Sequence, residues 1–98
     1  MSHQERLAAN EPAVRARQSL PSPSLPGGCL SRAELADAVN AALDIGGAGN
    51  TSYVDARWIA KLERGEFRWP NSDRRAALRL VLDAASDADL GLTRAPRV

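Results

Sequence analysis

Arg57, Lys61 and Arg64 recur at i, i+4 and i+7 along the segment DARWIAKLERG, residues 55–65. At about 100° per residue, that spacing gathers three cations on one side of a helix. Trp58, Ile59 and Leu62 gather on the opposite side, so burial of one side leaves the basic one outward. A helix this short is marginal alone and depends on packing of its apolar side. Ala60 sits among the cations and is small enough for close approach to a nucleic-acid groove, where arginine bonds guanine edges bidentately. Arg68, just past the segment, is placed to reach a flanking phosphate. The same stripe would also suit a merely solvated helix face.

Glu63 lies nearer the Ile59–Leu62 side than the basic one, so it is expected to be at least partly buried. A buried carboxylate needs a partner. Arg17 and Arg15, upstream, are the candidates; an exposed pair along its own helix fits the wheel less well.

The scaffold for these residues is a chain of 98 residues, 44% hydrophobic and 4% aromatic, a size that allows one small domain. Ala, Leu and Val dominate the apolar residues, and no alternating strand pattern lasts, so the fold class is expected to be all-α. Net charge is only +1, yet it is unevenly spread. Between Ala56 and Arg79 stand Arg57, Lys61, Arg64, Arg68, Arg74, Arg75 and Arg79 against Glu63, Glu66 and Asp73. Between Leu30 and Asp55 the acids Glu34, Asp37, Asp44 and Asp55 outnumber Arg32. A basic centre in a nearly neutral chain points to a polyanion-facing surface.

The lone Cys29 excludes an internal disulfide and a cysteine-cluster metal site. His3 falls in a polar N-terminal stretch, so neither a metal nor a cofactor is expected. No apolar run approaches membrane-spanning length and no signal core is visible, so a cytoplasmic protein is expected. The lone His and Cys, with no nucleophile–base spacing and no phosphate loop, argue against an enzyme.

Five helices are expected. Residues 1–11 read as a loose N-terminus, with Asn10-Glu11-Pro12 as a helix start and a helix from Pro12 to Leu20. PSPSLPGG, Pro21 to Gly28, reads as a linker without regular structure. Ser31-Arg32-Ala33-Glu34 is a capping box opening a helix to Leu43. The glycine-rich Asp44–Ser52 reads as a loop, Asp55 as the cap of a helix over 56–64, and Gly65 as its left-handed stop. Asn71 or Ser72 caps a helix to Ala85 with Leu78, Val81, Leu82 and Ala85 as its apolar stripe. A last short helical turn ends at Gly91, and residues 92–98 read as a tail.

Glu34-Leu35-Ala36, combined with Ile59-x-x-Leu62-Glu63-Arg64-Gly65, resembles the first and second motif helices of Xre-type, lambda-repressor-like helix-turn-helix domains. The ERGEFRWP wording and the long loops look like the actinobacterial regulators of that group. The resemblance spans about Val14 to Gly91 and implies a helix-turn-helix fold in which Ala36 marks the contact of the motif helices. It also implies that Ile59 and Leu62 are core and that Glu63 pairs with a first-helix arginine, Arg17 being the expected one. The expected DNA-facing set is Ala56, Arg57, Trp58, Lys61 and Arg64, with Arg68 beyond that helix and Arg32 at the start of the earlier one. Two departures stand out: Pro21–Gly28 exceeds the usual connection between the first two helices, and Ala41–Tyr53 replaces a turn of a few residues. Closure entropy grows only logarithmically with loop length, so the core tolerates both inserts.

For Trp58 a place at the core edge is favoured over base or sugar contact, and Trp69 is expected to cover the core beneath the turn. Tyr53 fits either a phosphate contact or a lid on the insert. The leading function is sequence-specific binding of double-stranded DNA by a transcriptional regulator reading the major groove with helix 56–64. The competing reading is a protein-interaction module that uses the same scaffold, docking a partner through Trp58 and the insert. A homodimer on a palindromic site and a protein partner both remain open.

Overall fold

The computed structural model describes residues 8–94. Among them are four α-helices and no strand, as the composition requires. Helix α1 is Glu11–Gln18, α2 is Arg32–Ile45, α3 is Ala56–Glu63 and α4 is Ser72–Val81. Single 3-10 turns lie at Asn50–Ser52 and Ala88–Leu90.

Each helix starts at a side chain that accepts from an otherwise unpaired backbone N–H. Asn10 accepts from Ala13 N at 3.3 Å, Asp55 from Trp58 N at 2.8 Å and Asn71 from Arg74 N at 2.9 Å. At α2 the capping box is complete: Ser31 Oγ accepts from Glu34 N at 3.0 Å and Ser31 N donates to Glu34 Oε1 at 2.9 Å.

Helix α2 is the centre of the packing and lies against both α3 and α4. Its Leu35, Val39 and Leu43 meet Ile59 and Leu62 of α3 and Leu78 and Leu82 of the α4 end in one buried cluster. Burial of each such side chain contributes about 1.5–3 kcal/mol, which is what makes an eight-residue α3 stable here. Leu90 and Leu92 close the cluster from the C-terminal side. Among the described residues no helix is long and apolar enough to cross a membrane.

Several expectations are corrected. Among the described residues four α-helices stand in place of five, because Ala88–Leu90 forms only a 3-10 turn. Helix α4 stops at Val81, short of Ala85, since Ala84 N bonds back to Arg79 O and Asp83 turns left-handed at φ 54°. Aspartate is among the few non-glycine residues that visit that region readily. Helix α1 ends at Gln18 instead of Leu20, and α2 continues to Ile45, so the second insert starts at Gly46. Leu92, assigned to a tail, is 2% exposed, and Asn10, assigned to a loose N-terminus, is fully buried. The rest of both segments, residues 1–7 and 95–98, lies outside the described residues.

The first insert is tied down by its serines. Ser22 N donates to Gly28 O at 2.9 Å, Pro21 and Cys29 form an antiparallel bridge, and the Ser22 and Ser24 hydroxyls both donate to Glu34. The Ser24 hydroxyl, then the Ser31 N–H and the Ser22 hydroxyl, hold the Glu34 carboxyl at a pKa of about 2, against an ordinary 4.5. The clasp therefore adds stability above the ordinary carboxylate range and loses it as pH falls toward 2. In the second insert, Asn40 exchanges two bonds with the Val54 backbone, Arg74 Nε donates to Ser52 O at 2.8 Å, and Tyr53 Oη donates to Asp44 at 2.6 Å. Tyr53 thus braces the insert against the last turn of α2.

Candidate nucleic-acid interface

Asp55 starts α3, Ile59 and Leu62 bury one side of it, and the chain turns away at Gly65 with φ +79°. A Cβ on Gly65 would lie 2.0 Å from Ala8 O, so only glycine fits between α3 and the segment that leads into α1. These constraints fix the outward side of α3. Arg57 and Lys61 are exposed there, and neither has an ion-pair partner among the described residues. Ala56 and Ala60 are half-buried beside them.

The other expected members of the set are engaged inside the molecule. Arg64 Nε pairs with Glu66 Oε2 at 2.6 Å on the surface. Arg68 does not extend freely past the helix end: its guanidinium donates to Ala8 O at 2.7 Å and to Gly91 O at 3.4 Å, and its own carbonyl accepts from Thr93 N. It ties the two ends of the described chain together. Arg32, grouped by sequence with the DNA-facing residues, donates from Nε to Glu63 Oε1 at 2.9 Å and is half exposed.

Glu63 is buried, as its place on the wheel requires, with a side chain 2% exposed. Arg17 grips it with two bonds, Nε to Oε2 at 2.6 Å and Nη2 to Oε1 at 3.1 Å, and uses Nη1 for Leu30 O at 2.9 Å. Arg15 instead makes an exposed pair with Glu11 at 3.3 Å. One carboxylate therefore joins α1, the N-terminus of α2 and the C-terminus of α3. The two guanidiniums outnumber it, leaving one positive charge at this junction beside the α3 stripe. The pairing of Arg32 with Glu63 was not legible in sequence, because it links residues 31 apart through no periodicity.

Trp58 takes the core-edge place. Its ring lies 5.1 Å from Phe67, and Arg74 stands over it at 5.4 Å. Trp69 does not cover the core: it is 38% exposed, with the guanidinium of Arg75 at 3.8 Å and that of Arg94 at 5.7 Å from its ring. Phe67, packed against the core cluster, has that covering position. Arg75 and Arg79 also pair with Asp87, which fixes the segment following α4. The basic count of residues 56–79 thus overstates the free charge. Most of those arginines are structural, and Arg57 and Lys61 are the two without a bond to carboxylate or carbonyl among the described residues.

Compared with protein-family models, curated proteins and solved structures, the chain matches none of them.

Proposed function

We propose that this protein is a sequence-specific DNA-binding transcriptional regulator of the helix-turn-helix type, lambda-repressor-like, with α2 and α3 as its motif helices. In this reading α3 enters the major groove of double-stranded DNA. The observation that carries it is the selective freedom of Arg57 and Lys61. They stand one turn apart on the outward side of a helix locked from behind, while the neighbouring arginines are bound within the fold. Cations held at fixed spacing on a rigid helix have the geometry that reads base edges, and Ala60 between them keeps the helix surface low enough to approach. The half-exposed Arg32 supplies charge toward the phosphate backbone from the start of α2.

The test is fluorescence anisotropy on duplexes selected from a random pool and on their scrambled counterparts, over a range of salt. Binding is expected to weaken linearly in log salt, by about 0.9 per phosphate neutralised, and to favour the selected duplex at every salt concentration. Absence of binding to either duplex at low salt would overturn the reading.

A further inference from the structure

The face formed by the end of α2 and the outer side of α4 has the opposite chemistry to α3. A groove of about 290 Å³ runs between them, floored by the small residues Ala42, Ala48, Ala76 and Ala77. Two large aliphatic side chains stand at its walls in water, Ile45 at 84% and Leu80 at 68% exposure. Isolated exposed aliphatics are ordinary, but two flanking one apolar groove form a binding-sized feature.

The charged side chain that lines this groove is acidic. Asp73 lines it and has no ion-pair partner among the described residues. The last turn of α2 also borders the groove, through Ala42, Leu43 and Ile45. That last turn holds no basic residue, so nothing on α2 offsets the partial negative charge of its carbonyl end. No lysine or arginine lines the groove.

We propose that this groove is a docking site for a basic amphipathic helix of another protein. Such a helix would lay its apolar side between Ile45 and Leu80 and set lysine or arginine against Asp73 and the α2 C-terminus. This is the helix-in-groove mode, with small residues admitting the incoming backbone. A second copy of the chain is a poorer occupant, because it would bring the same aspartate and the same helix end against each other. The groove carries no α3 residue, so its occupancy is independent of the basic stripe.

The probe is a designed Leu/Lys amphipathic peptide of about five helical turns, with a Leu/Glu peptide of identical apolar pattern as control. Amide NMR of the full chain is expected to shift at Ala42, Ile45, Ala76 and Leu80 with the Leu/Lys peptide and not with the Leu/Glu one. Asp73→Lys is expected to weaken that binding by a few-fold, and Ile45→Asp with Leu80→Asp by roughly ten-fold or more. Both positions are exposed, so melting of the variants is expected to match the parent. Three results would overturn the proposal: equal binding of both peptides, shifts confined to other faces, or a concentration-dependent dimer abolished by Ile45→Asp and Leu80→Asp.

Discussion

Glu63→Ala is expected to lower stability by about 3–5 kcal/mol, enough to leave a domain of this size largely unfolded near body temperature. The cost arises from what remains. Arg17 is 9% exposed at its side chain and would keep a buried guanidinium with no counter-charge. Arg17→Ala is expected to cost a similar amount for the reciprocal reason, since the carboxylate would keep only the half-exposed Arg32. Arg32→Ala should cost no more than about 1 kcal/mol, because solvent already screens its bond to Glu63. Denaturant midpoints of the single variants and the Arg17→Ala, Glu63→Ala double variant check this. The double variant should lose far less than the sum, because neither partner is then left alone. Full additivity would mean that the junction does not act as a unit.

Arg57→Ala and Lys61→Ala are each expected to weaken binding to the selected duplex by about 1–3 kcal/mol and to relax base preference at one position. Both side chains are exposed, so neither substitution should change the melting temperature. Arg68→Ala should behave oppositely. Its guanidinium bridges Ala8 and Gly91, so its loss should reduce stability with little direct effect on affinity per folded molecule. Anisotropy and thermal melts on the same four proteins separate the two kinds of effect. Equal affinity of the parent, Arg57→Ala and Lys61→Ala for the selected duplex would remove α3 as the reading element.

The elements of this fold were legible where the signal is local. Caps at Ser31, Asp55 and Asn71, the glycine stop at Gly65 and the inward Ile59–Leu62 pair each follow from residues within one or two turns. Burial of Glu63 followed from the same wheel, and the demand of a buried carboxylate narrowed its partner to Arg17 or Arg15. What escaped the sequence depends on contacts between distant segments. Arg68 read as a free cation because nothing local shows that Ala8 and Gly91 come to it. Leu92 read as tail because one apolar residue after a glycine has no period. Trp69 read as a core lid from its place before Pro70 at the turn, whereas Phe67 two residues earlier takes that place and Arg75 and Arg94 hold the Trp69 ring in the open. The early end of α4 came from Asp83 adopting a backbone conformation that sequence alone would assign to glycine.

Amide chemical-shift mapping of the full chain with a selected duplex tests the central claim most directly, since it locates the contact as well as detecting it. The account predicts the largest shifts along Ala56, Arg57, Ala60 and Lys61, smaller ones near Arg32, and none along Ala42–Ala48 or at Ala76 and Leu80. Shifts centred on those groove residues with α3 silent, or no shifts at all at low salt, would contradict it.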